Sequence, residues 1–208
     1  MSETATAARL ILLLGGARSG KSAYGEALAT RLAGEAPVAY IATATASDDE
    51  MRGRIARHQS SRPSRWLTIE EPLRPADALR ATTASVVLLD CVTLLVANLL
   101  IDGAGEDDFH EANNARDAET RVDRAITDLL DAWRSRRTTL ILVSNEVGMG
   151  LVPPYPLGRA YRDCLGRANA RLAAAADTVL LMVAGLPIEL KALAAAWERE
   201  AARRFEDD

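Results

Sequence analysis

A three-layer α/β fold, with a mostly parallel central sheet flanked by helices, is the architecture this chain predicts, and three observations predict it. The segments Leu10–Leu14, Pro37–Thr43, Ser85–Cys91, Thr138–Ser144 and Thr178–Ala184 are short apolar runs, the pattern of strands covered on both faces. Helical stretches separate most of them, as the crossovers between parallel strands require. The first run leads directly into Gly15-Gly16-Ala17-Arg18-Ser19-Gly20-Lys21-Ser22 and then a helix, which is a phosphate-binding P-loop in its proper setting.

Composition bounds the reading. A chain of 208 residues suits one domain around one core, with residues 1–8 and about 192–208 peripheral to it. Net charge is −4, with Lys+Arg 25 against Asp+Glu 29, so no basic field exists to hold nucleic acid and any phosphate affinity is local. Cys91 and Cys164 lack metal-ligand spacing and read as small buried residues in a reducing compartment. No apolar run approaches the roughly 20 residues that span a bilayer, and Met1–Ala8 lacks a basic segment followed by a long apolar one. The expectation is a cytoplasmic protein without a membrane span.

Taken in order, Leu10–Leu14 is the first buried strand, and Ala23–Arg31 continues as a helix with Tyr24, Ala27, Leu28 and Leu32 at helical spacing and Gly34 as its stop. Pro37–Thr43 is the second strand. It ends in Ala42-Thr43-Ala44-Thr45-Ala46, small and hydroxyl residues at the ligand-binding edge of such a sheet. Ser47 to Glu50 has capping-box spacing and opens a helix running to about His58. Gln59–Arg65 is a polar loop, Trp66–Glu70 alternates like a half-exposed strand, and Ala76–Ala81 is a small helix. Ser85–Cys91 is a buried strand, Val92–Leu100 an apolar helix containing Asn98, and Ile101–Asp108 an acidic, glycine-containing loop. Phe109–Arg136 carries Val122, Ala125, Ile126, Leu129, Leu130 and Trp133 as one stripe, a structural helix. After the strand Thr138–Ser144, the glycines of Asn145–Gly150 and the prolines of Pro153–Pro156 forbid a regular element. Leu157–Ala176 is a helix, Thr178–Ala184 the last strand, ended by Gly185-Leu186-Pro187, and Ile188–Asp208 a charged, alanine-rich surface helix.

The chemistry begins with the P-loop. Its glycines let successive N–H groups turn inward, and with the helix N-terminus they form an anion cradle for a nucleoside triphosphate such as ATP or GTP. Lys21 would reach the β/γ oxygens and Ser22 would ligate Mg²⁺. Asp90, closing an apolar strand, follows the Walker-B pattern and would join that Mg²⁺ shell; a strand-end aspartate could instead cap the next helix. Arg159, Arg162, Gly166 and Asn169 share one helix face, where two arginines could bind phosphate, complete a neighbouring subunit's site, or form a solvated basic face.

Two histidines occur. His110 borders an acidic loop and reads as incidental. His58 ends the basic stretch Arg54-Ile55-Ala56-Arg57, with Arg62 close by, and is either a surface or capping residue or a nucleophile. A free imidazole is available near neutral pH and can attack phosphorus to form a covalent intermediate.

Six blocks together resemble one family. They are Gly15–Ser22, the set Arg54, His58, Arg62-Pro63, Trp66, Thr68 and Glu70, and the run Leu88–Leu94. Ser144–Gly150, Leu157-Gly158-Arg159 with Arg162-Asp163, Gly166-Arg167 and Asn169, and Ala184–Pro187 complete them. In this order, over about residues 9–191, they resemble the bifunctional adenosylcobinamide kinase / adenosylcobinamide-phosphate guanylyltransferases of cobalamin biosynthesis. The resemblance implies a P-loop NTPase-like fold and two reactions: phosphorylation of adenosylcobinamide by a nucleoside triphosphate, then transfer of GMP from GTP, through a guanylyl-histidine, to adenosylcobinamide phosphate with release of pyrophosphate. It puts the nucleophile at His58, with Lys21 assisting. Nucleotide contacts are implied at Gly15, Gly16, Ala17, Arg18, Ser19, Gly20, Lys21, Ser22, Thr43, Ala44, Thr45, Gln59, Ser60, Ser61, Arg62, Glu70 and Asp90. Glu70 suits the guanine edge, since a carboxylate accepts two N–H donors. A homotrimer is implied, with Asn145, Glu146, Arg159, Arg162 and Asn169 as substrate or subunit contacts. A P-loop kinase without nucleotidyl transfer, and a GTP-sensing module without turnover, are the alternatives from other classes.

Overall fold

The computed structural model describes residues 8–45, 62–102, 112–136 and 138–206. In chain order these form β1 (Leu10–Gly15), α1 (Lys21–Ala33), β2 (Val38–Ala42), β3 (Leu67–Glu70), α2 (Pro75–Ala81), β4 (Val86–Asp90) and α3 (Val92–Ile101). There follow α4 (Ala112–Arg134), β5 (Thr139–Val143), α5 (Pro156–Ala175), β6 (Thr178–Val183), β7 (Leu186–Glu189) and α6 (Leu190–Glu206). One seven-stranded sheet has the order β3-β2-β4-β5-β1-β6-β7. All neighbours pair parallel except β6 with β7.

The apolar runs are continuous because each strand feeds both faces of this sheet. Leu10, Leu12, Leu14, Leu89, Leu140 and Leu142 enter the larger core with α2 to α5. Ile11, Leu13, Leu88, Ile141 and Val143 enter the smaller one beneath α1. On α4, Val122, Ile126, Leu129 and Leu130 are buried, the stripe that periodicity predicts. No helix among the described residues is long and apolar enough to cross a membrane.

Three differences from the sequence reading have local causes. Trp66 stands just before β3 rather than within it, buried under the α1 face beside Tyr40. The long helix, described from Ala112, ends at Arg134, two residues before the expected Arg136, where the Arg136 N–H turns to the Trp133 carbonyl at 3.0 Å. After β6 the chain does not pass directly to a helix: Ala184 and Gly185, at φ 50° and 83°, make a two-residue turn that folds Leu186–Glu189 back as an antiparallel edge strand. That strand is largely exposed and carries Pro187, which an edge tolerates, so it lacks the apolar signature of the inner strands. The expected helix from Ser47 to about His58 lies outside the described residues, as do His110 and most of the acidic loop before α4.

Candidate active site at the carboxyl edge of the sheet

The loop from Gly15 to Gly20 joins the buried β1 to α1, and neighbouring segments hold it from two sides. The Glu146 N–H donates to the Gly15 carbonyl at 3.0 Å, and the Gly185 N–H donates to the Ser19 carbonyl at 3.1 Å. Gly15 lies at φ +151°, and a Cβ there would stand 2.5 Å from the Met182 carbonyl oxygen. Only glycine fits between β1 and β6 at that point. Gly16, Ala17, Arg18 and Gly20 are exposed along the loop, whereas Ser19 is buried.

Lys21 opens α1 with its side chain folded over the loop. Its Nζ donates to the Gly16 carbonyl at 2.6 Å and lies 3.4 Å from Ser19 Oγ. Burial lowers its pKa from the ordinary lysine value, opposed by the nearby Cys91 and Asp90. The ammonium is thus held ready for phosphate oxygens, which could replace the carbonyl as its acceptor. Ser22, in the same first turn, is half-buried.

Asp90 ends β4, two places from β1 in the sheet, on the side facing α1. Its Oδ2 accepts the Tyr40 hydroxyl at 2.8 Å. Burial first, then the Asp90 charge, raises the Tyr40 pKa, so the phenol stays a neutral donor. Asp90 at the end of β4 and Lys21 after the loop that follows β1 stand at the same carboxyl edge of the sheet. Ser22 hydroxyl and Asp90 carboxylate are hard oxygen donors of the kind Mg²⁺ takes. Among the described residues no three His, Cys, Asp or Glu side chains form a metal cage.

Thr43 is fully buried, its hydroxyl donating to the Cys91 carbonyl at 2.7 Å and accepting the Cys91 N–H at 2.8 Å. It therefore ties the ends of β2 and β4 together. Asn98 of α3 donates to the carbonyls of Thr43 and Pro72, extending the tie to the segment after β3. Ala44 is half-buried, Thr45 exposed, and Glu70 exposed at the end of β3.

Arg62 points inward. Its guanidinium lies 3.3 Å over the Tyr40 ring centroid, Nη1 donates to Thr68 Oγ1 at 3.2 Å, and Nε stands 4.0 Å from Glu26 of α1. Its neighbours Gln59, Ser60 and Ser61, with His58, lie outside the described residues.

The region from Asn145 to Asn169 is internally braced. Asn169 is buried: Ser144 Oγ donates to its Oδ1 at 2.6 Å, and its Nδ2 donates to the Asn145 carbonyl at 2.9 Å. Arg159 donates to the carbonyls of Pro153 and Pro154, and Arg162 to that of Gly148. Glu146 accepts the Gly148 N–H. Met149, Leu151, Val152 and Tyr155 are exposed on this loop. Residue spacing did not disclose Tyr40, Asn98 or the Ala184-Gly185 turn as parts of the site. A tyrosine two residues from a strand end, and an asparagine within an apolar helix, were the available signals.

Known proteins resemble the chain over most of its length. The family described as cobinamide kinase / cobinamide phosphate guanyltransferase matches residues 11–190. The chain is 44% identical over 186 residues to the bifunctional adenosylcobalamin biosynthesis protein CobU of Salmonella typhimurium, covering 88% of this chain and 99% of the relative. Identity to the CobU of Escherichia coli is 42% over 184 residues, covering 88% and 99%, and to the CobP of Pseudomonas aeruginosa 44% over 184 residues, covering 86% and 96%. Among solved structures, the RadB recombinase superposes with a TM-score of 0.45 at 15% identity, covering 84% of this chain and 75% of that one.

Proposed function

The chain belongs to the cobinamide kinase / cobinamide phosphate guanyltransferase family, and we propose that a single domain of it, in the cytoplasm, carries out both reactions that this description names. In the first, the aminopropanol hydroxyl of adenosylcobinamide attacks the γ-phosphorus of a nucleoside triphosphate. A new O–P bond forms, the bridging β,γ bond breaks, and the hydroxyl proton leaves to solvent or a base. In the second, a His58 ring nitrogen attacks the α-phosphorus of GTP and pyrophosphate departs. The phosphate of adenosylcobinamide phosphate then displaces the histidine, breaking the P–N bond and giving adenosylcobinamide-GDP.

The observation that carries this reading is the P-loop with the buried Lys21 folded over it and bonded to the Gly16 carbonyl, in a chain matched to the family over residues 11–190. The Gly15–Gly20 amides and Lys21 bind the triphosphate and offset charge as pyrophosphate leaves. Ser22 and Asp90 would hold Mg²⁺, which supplies charge neutralisation on the phosphate oxygens. Glu70 takes the guanine edge, and the exposed loop after β5 serves the corrinoid and the contacts of a homotrimer.

Incubation with α-labelled GTP and Mg²⁺ tests the nucleophile. The expected product is an acid-labile, base-stable adduct on the protein that is lost in His58→Ala. Normal labelling of His58→Ala would remove the histidine from the mechanism.

A further inference from the structure

The Tyr40 phenol has no role in the reactions above, yet it is the one side chain seen to bond the Asp90 carboxylate among the described residues, and three features show that it is held for that contact. It is 3% exposed, so the hydroxyl has left water to reach a charged acceptor at 2.8 Å. Its register partner on β4 is Leu88, and Asp90 lies two residues further on the same face, so the ring spans one pleat to put its oxygen at the strand end. Arg62 covers the ring at 3.3 Å and is itself tied to Thr68 of β3 and Glu26 of α1. The ring cannot swing without disturbing both neighbours.

A carboxylate at a strand end has free rotation about its last bond. A donor on Oδ2 selects one orientation and leaves Oδ1 for another ligand. We propose that Tyr40 is a positioning residue that orients the Asp90 carboxylate toward a metal-bound triphosphate, with Arg62 as the clamp on its ring. This rests on the reading of Ser22 and Asp90 as the Mg²⁺-binding pair.

The test is binding, not turnover. Affinity for the α,β-methylene analogue of GTP, which cannot guanylylate His58, is measured with excess Mg²⁺ and with EDTA, in the wild type, Tyr40→Phe, Asp90→Asn and the double variant. The wild type is expected to bind this analogue at least tenfold tighter with Mg²⁺. In Tyr40→Phe that gain falls by fivefold or more while affinity in EDTA stays within twofold, and Tyr40→Phe adds nothing further in the Asp90→Asn background. An undiminished Mg²⁺ gain in Tyr40→Phe overturns the proposal. So does an equal loss with and without Mg²⁺, or a protein that does not fold, because both make the hydroxyl a packing element. Failure of the underlying reading looks different: the wild type itself shows no Mg²⁺-dependent gain, or Asp90→Asn retains all of it.

Discussion

The surroundings of a buried charge decide whether it can be kept. An ammonium that is 7% exposed is held at Lys21 because the Gly16 carbonyl and the Ser19 hydroxyl face it. Gly15 is the residue on which the cradle depends sterically. Gly15→Ala should cost about 2–4 kcal/mol, from the strained φ and the clash with the Met182 carbonyl. Urea unfolding reads that loss, and GTP binding should fall with it. Cys164 makes a separate prediction. Burial pushes its thiol from 9.0 up to about 11, so the folded state keeps a proton that the unfolded state releases. The associated stability is present below pH 9 and declines as pH rises toward 11. Ellman's reagent at about pH 8, below that range, should therefore leave Cys164 nearly unmodified in the native protein and react with it at once in denaturant.

At the scale of elements, α1 is placed by what it lacks. A Cβ on Gly25 would stand 3.1 Å from Leu13 and 3.3 Å from Leu88, so this glycine lets the helix sit close on the sheet. Gly25→Val should lift α1 and carry Lys21 and Ser22 with it, costing about 1–3 kcal/mol and weakening GTP binding. In contrast, Leu129 of α4 lies in the larger core, on the sheet face opposite α1. Leu129→Ala should cost about 2–5 kcal/mol by chemical denaturation and leave kcat unchanged in the remaining folded enzyme. The inner strands were legible in the sequence because parallel strands buried on both faces must be continuously apolar. β7 was not, because its exposed residues obey no such demand and its turn rests on Ala184, a residue type that does not advertise a positive φ.

Across the whole molecule, the sheet order brings β1, β4 and β2 to the same carboxyl edge, where the P-loop, Asp90 and Thr43 meet. The glycine loop and the strand-end place of Asp90 were legible because glycine spacing and a continuous apolar run fix residue type and position. The supports were not: Tyr40, Asn98 and the Gly185 N–H act through distances that only the folded chain defines. Arg159, Arg162 and Asn169 share a face as their spacing predicts, and that face braces the loop from Asn145 to Pro154. The central claim is that one chain performs two phosphorus transfers. It is tested by supplying adenosylcobinamide, Mg²⁺ and GTP labelled in one reaction at the γ- and in a parallel one at the α-phosphate. Both labels should appear in adenosylcobinamide-GDP, with pyrophosphate released. Label from the γ-phosphate alone, in a product that stops at adenosylcobinamide phosphate, would contradict the claim and leave a simple kinase; GTP bound without any transfer would leave a sensor.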